Sequence, residues 1–191
     1  MRPGRAMRET ARMAERPDPT EAAPYYFRYI DRVHDGDIVR TLETQEEEIL
    51  GLFGTISEER SLHRYAPGKW SIRELLSHVS DTERVFAYRA LWFARGFDTP
   101  LPSFEQVIAV AAAGADSIPW ARHIQEFRAV RLATASLFRN LPAEAWARQG
   151  VASGNPVTVR ALAWITAGHA THHAAVLRER YLQHPGDPEK G

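Results

Sequence analysis

Residues 168–173 read "GHATHH", which places His169, His172 and His173 within five positions near the end of the chain. A helical residue advances by about 100°, so positions four apart lie nearly above one another. His169 and His173 have that relation and fall in line with Leu162, Thr166 and Val176. His172 lies about 100° round from His173 and belongs at the flank of the same helix. Upstream, His78 is spaced to face inward with Leu75, Val79 and Thr82. Three neutral imidazoles brought together suit a divalent transition metal and leave coordination positions open. The competing reading is three hydrogen-bonded core histidines. Against it stands the cost of burying three such groups without a shared purpose. The glutamate that an H-E-x-x-H protease places after its first histidine is replaced by Ala170, so that chemistry is excluded. His34, His63, His123 and His184 lack comparable spacing and are expected at the surface.

Four helices have to position these residues. Ile38, Leu42, Ile49, Phe53 and Ile56 mark one face of a helix from about Asp37 to Ile56. "SIRE" opens a second as a capping box, Ser71 with Glu74, with Leu75, Val79, Phe86 and Phe93 inside and Gly96 as the stop. "DSIPW" starts a third, Ser117 as the cap and Pro119 in the first turn, with Ile124, Phe127, Thr134 and Phe138 on its inner face. The fourth runs from about Thr158 to Gln183. No segment between them demands a strand. The expected fold is all-α, a four-helix bundle with two long loops around 97–117 and 141–157.

Composition narrows the function classes. The chain's 191 residues carry 24 basic and 24 acidic side chains, so no net charge argues for nucleic acid or an anionic membrane surface. No apolar run reaches the ~18 residues of a membrane span. Cysteine is absent, which excludes thiolate ligands and a cysteine nucleophile and fits a cytoplasmic location. Arg2, Arg5, Arg8, Arg12 and Arg16 punctuate a polar start without an apolar centre. Residues 1–22 therefore read as a disordered extension, 23–183 as one domain and 184–191 as a disordered tail.

The segments "YAPGKWSIRELLSHVSDTERVFAYRALWFARG" and "SGNPVTVRALAWITAGHATHHAAVLRERYL" resemble the DinB/YfiT-like superfamily of metal-binding four-helix bundles. With "PYYFRYIDRVHDGDIVRTLETQ" upstream, the resemblance spans roughly residues 23–183. Its motifs are the "PGKWS" lead-in, the histidine shortly after it and the C-terminal H-x-x-H-H. The resemblance implies that His78, His169 and His173 are metal ligands, the trio that helical geometry also selects. It further implies up-down-down-up connectivity, zinc or nickel as the ion, and a homodimer. Some relatives are thought to be metal-dependent thiol transferases or isomerases that use small-molecule thiols. The chain departs from the pattern after "PLPSFEQ", where Val107, Ile108 and Ala109 replace polar residues expected near the pocket mouth.

A bound ion would act as a Lewis acid on a water or thiol, and its positive charge favours an anionic substrate. Thr82, Arg89, Arg131 and Thr166 share the inward stripes. Arg89 and Arg131 either hold a substrate carboxylate or form structural salt bridges. Asp81 is at best a flanking partner for a histidine nitrogen, and no carboxylate stands out as a general base, which argues against a hydrolase. The competing class is a non-enzymatic metal-binding or stress-associated dimeric bundle. Phe53, Trp92 and Leu137 lack an obvious home within one chain and point to a two-fold interface.

Overall fold

The structure, a computed structural model, describes residues 15–183. The expectations for residues 1–14, the 184–191 tail and His184 lie outside the described residues. A short helix α1 (Phe27–Ile30) precedes α2 (Ile38–Gly54), α3 (Ile72–Ala94), α4 (Gln106–Ala113), α5 (Trp120–Arg139) and α6 (Val159–Val176). Three of the four long helices start where their local chemistry dictates. Asp37 accepts from the first-turn N–H groups of Val39 and Arg40. Ser71 Oγ accepts from Glu74 N at 3.0 Å, while Ser71 N donates to Glu74 Oε2 at 2.7 Å, the reciprocal capping box. Thr158 Oγ1 accepts from Ala161 N at the start of α6.

The third start differs from expectation. Ser117 ends a separate 3-10 turn and donates to Gly114 O, so it does not cap α5. Pro119 takes the cap position, and Glu58 Oε2 accepts from Trp120 N at 2.9 Å. A carboxylate far away in sequence thus satisfies the helix end. The last helix also changes character: after Val176 it continues as a π-helical turn, Leu177–Leu182.

Both long loops contain regular structure. The first holds α4. The second holds a hairpin, β1 (Gln149–Ala152) antiparallel to β2 (Asn155–Thr158), with Ala152 opposite Asn155. Ser153 (φ 53°) and Gly154 (φ 73°) form its two-residue turn. Two consecutive positive φ values give the twist that a tight hairpin needs, and only glycine and a few polar residues accept them readily. Leu101 bridges to Ala152 alongside, which fastens the first loop to the hairpin. The strands escaped the sequence reading because four residues are too few to display a period of two.

Helix α3 packs against α5 and α6, and α2 packs against the same two helices. The bundle is therefore four-sided, with α2 and α3 across from each other. A buried ion pair crosses it. Arg131 donates from Nη2 to Glu83 Oε2 at 2.8 Å and from Nη1 to Gln45 Oε1 at 2.6 Å, with both charged side chains shut off from solvent. Gln45 in turn donates to Ala167 O and Thr171 Oγ1, so one network joins α2, α3, α5 and α6. Arg131 is thus structural. Glu83→Ala strands its charge and is expected to cost about 3–5 kcal/mol of unfolding free energy. Urea denaturation measures this, and a loss under about 1 kcal/mol, the range of an exposed pair, contradicts the assignment.

Residues 15–22, grouped by composition with the extension, include packed positions. Glu21 is buried, accepts from Thr158 Oγ1 at 2.8 Å and from Arg160 Nε at 3.0 Å, and so braces the start of α6. Phe53 is also buried within the one chain, beside Trp120. Trp92 stacks on Phe97 with ring centroids 4.2 Å apart. Among the described residues no helix is long and apolar enough to cross a membrane.

Candidate metal centre

The inward stripes of α3 and α6 meet at mid-bundle. His78 Nε2 lies 3.2 Å from His169 Nε2, and His173 Nε2 lies 3.1 Å from the same atom. One nitrogen from each ring falls within 4.8 Å of the others. Two ligands about 2.0–2.1 Å from a shared tetrahedral ion sit about 3.4 Å apart, so the spacing fits one cation. Among the described residues this is the one group of three or more such side chains that could hold a metal.

The protonation state fits as well. Burial pushes His78 down to about 4. Burial, then the neighbouring imidazoles, hold His169 and His173 well below the ordinary histidine value. All three are neutral at physiological pH, the form that binds metal. Thr82 Oγ1 lies 3.3 Å from His78 Nδ1, and a proton on that nitrogen leaves the Nε2 lone pair facing the cluster. Trp70, Phe86 and Tyr29 wall the rings, Tyr29 edge-on to His169 with centroids 5.3 Å apart.

These depressed values make stability depend on pH. Between about pH 6.5 and 4 the unfolded chain binds a proton that the folded His78 does not. Stability from this group is fully present above 6.5 and is lost as pH falls. Moving the metal-free protein from pH 7.5 to 5 is expected to cost about 2 kcal/mol from His78 alone. His169 and His173 add losses of the same sign. Urea titrations at the two pH values test this, and equal stabilities contradict it.

His172 stays outside the cluster. Its half-buried ring lies against Tyr29, with centroids 5.5 Å apart, on the flank where its helical offset puts it. Asp81 pairs with Arg84 and makes no bond to a histidine. His34 is exposed and His63 half-buried, but the surface expectation fails for His123. That ring is buried, and its Nε2 donates to Ala115 O at 2.9 Å, clamping the 3-10 turn onto α5. Helical spacing could not reveal a segment folding back from outside the helix.

Two cavities reach the cluster. One, about 250 Å³, is lined by His78 and His169 together with Tyr25, Tyr29, Phe86 and Arg89. The other, about 360 Å³, is lined by His172 and His173 with Tyr65, Lys69, Trp70 and Tyr181. Glu105 and Gln106 line the first cavity at the start of α4, while Val107 and Ile108 project into solvent.

Comparison with known families decides the lineage. A family model described as the DinB superfamily matches residues 41–177, a stretch that includes all three clustered histidines. The chain belongs to the DinB superfamily. Among solved structures, this DinB-superfamily chain is similar to YfiT from Bacillus subtilis, described as "a probable metal-dependent hydrolase with an unusual four-helix bundle topology". The two share 12% identity and a TM-score of 0.65, over 92% of this chain and 97% of that one. At that identity the likeness speaks to the fold. Among curated proteins, none matches.

Proposed function

We propose that this DinB-superfamily protein is a metal-dependent transferase, with His78, His169 and His173 as the ligands of one zinc or nickel ion. The observation that carries the reading is the convergence of two separately lined cavities on one three-histidine cluster. Transfer between two cosubstrates, one of them a small-molecule thiol, uses two approaches to one centre. A divalent ion held there supplies Lewis acidity. The protein's own groups do the rest. Thr82 orients His78, the aromatic walls exclude water, and the neutral ligands leave the ion's full charge available to an anionic substrate.

Hydrolysis, the activity attached to YfiT, is the weaker reading here. Glu83 is tied to Arg131 and Asp81 to Arg84, Glu105 is exposed at the cavity mouth, and among the described residues no carboxylate joins the histidine cluster as a general base. Rate measurements with a small thiol and an aryl chloride separate the readings. In transfer a C–S bond forms, the C–Cl bond breaks, chloride leaves and the thiol proton goes to solvent. Turnover that requires the thiol and vanishes in His169→Ala is expected. Thiol-independent hydrolysis contradicts transfer, and metal binding without turnover favours the stress-associated, non-enzymatic bundle.

The same reading includes up-down-down-up connectivity. It is supported by contacts in step along α3 and the α5 segment, Arg73 with Ile118 O just ahead of α5 and Glu83 with Arg131, and by contacts in opposite order along α2 and α5, Glu43 with Arg139 and Phe53 with Trp120. It also includes a cytoplasmic homodimer. The face of α3 and α5 supports this, because Tyr88 and Leu91 border an apolar groove reaching Val130 and Leu137. Sedimentation at micromolar concentration is expected to give twice the 21.6 kDa chain mass, and a concentration-independent monomer contradicts the dimer.

A further inference from the structure

Three arginines are buried among the described residues: Arg73, Arg89 and Arg131. Two of them are neutralised, Arg73 by Glu58 and Arg131 by Glu83. Arg89 is the exception. It is only 4% exposed, yet no carboxylate among the described residues lies within salt-bridge reach. Its Nη2 donates to Pro102 O at 2.8 Å and to Ser153 Oγ at 3.0 Å, both neutral oxygens, and Tyr26 shares its cavity lining. Burial pulls it below the ordinary arginine value, as expected of a cation without a counter-ion.

This cation lines the same cavity as His78 and His169. It stands eleven residues beyond His78 on α3, close to three helical turns, hence on the same face and about 16 Å further along the helix. Tyr25, Tyr29, Phe86 and Phe104 supply aromatic walls between the two ends. The remaining charged group on the lining is Glu105, which is exposed at the mouth. We propose that Arg89 anchors the carboxylate of an elongated, aromatic or aliphatic organic acid whose far end reaches toward the histidine cluster. A buried guanidinium with neutral partners is completed by one carboxylate through charge-assisted, two-point hydrogen bonds. A phosphate dianion would ask for a second cation, and the lining offers none. The inference rests on the proposed function only in taking the cluster as the reacting end.

The test uses metal-loaded protein and two matched probes, 3-phenylpropanoate and its neutral amide, 3-phenylpropanamide, titrated by NMR. The acid is expected to bind at least tenfold more tightly than the amide. Arg89→Gln is expected to erase that preference, with amide affinity and one ion per chain retained. Equal affinity for acid and amide in the wild type overturns the proposal. So does a preference that survives in Arg89→Gln, because the bound metal is then its source. Should Arg89→Gln fail to fold, Arg89→Lys decides: the preference weakens when a point charge replaces the fork, and an unchanged preference overturns the anchor. Loss of thiol-dependent turnover or of metal stoichiometry, with the Arg89-dependent preference intact, counts against the proposed function and leaves this inference standing.

Discussion

His169→Ala is expected to abolish stoichiometric metal binding, while His172→Ala leaves it at the wild-type level. His169 is the middle member of the cluster, with the Nε2 atoms of His78 and His173 at 3.2 and 3.1 Å from its own. It is only 4% exposed, so its removal leaves two donors beside a void. Even altering a partner of a ligand costs about 10–100-fold in metal affinity, and losing the central ligand exceeds that range. His172 is one residue from His173 but points to Tyr29 and the second cavity. Calorimetric titration of folded variants reads both effects. Equal losses in the two variants contradict the assignment, since they would mean that nearness in sequence, and not orientation, governs binding.

Gly168→Ala is expected to destabilise the protein by about 1–3 kcal/mol and to loosen α1 from the histidine cluster. A Cβ on residue 168 would lie 2.0 Å from the carbonyl oxygen of Tyr29 and 2.4 Å from its carbonyl carbon. Both atoms are backbone, so no rotamer change relieves the clash and α1 itself has to shift. Tyr29 packs on His169, and Tyr26 lines the first cavity together with Arg89, so the shift reaches both ends of that cavity. The sign is informative. In an unconstrained helix the same change stabilises by up to about 1 kcal/mol, because alanine is the better helix former. Urea unfolding with hydrogen exchange across residues 25–31 measures the outcome, and a gain in stability contradicts the close approach. The glycine that opens "GHATHH" is thereby explained: it lets a covering segment lie directly on the helix that carries two of the histidines.

The trio was legible because one helical relation, i to i+4, settles which of three neighbouring histidines can act together. The starts of α2, α3 and α6 were legible too, since Asp37, Ser71 and Thr158 satisfy helix ends within three residues of themselves. What failed depended on partners outside the helix concerned. Glu58 displaced Ser117 as the supplier of the α5 cap, and Ala115 drew His123 inside. Gln45 reads as a solvent-facing residue by type, yet it is buried because Arg131, Ala167 and Thr171 together satisfy its amide. Phe53 looked homeless only because Trp120, its neighbour, comes from α5, three helices later. Arg89 and Arg131 were indistinguishable as inward arginines. The position of Glu83 on a facing helix makes one structural and leaves the other open to a ligand.

X-ray absorption on protein purified without a polyhistidine tag or chelator tests the metal centre most directly. One zinc or nickel ion per chain is expected, with scattering from three imidazole nitrogens at about 2.0–2.2 Å. A folded protein that takes up neither ion, or an ion surrounded by oxygen without imidazole, would contradict it.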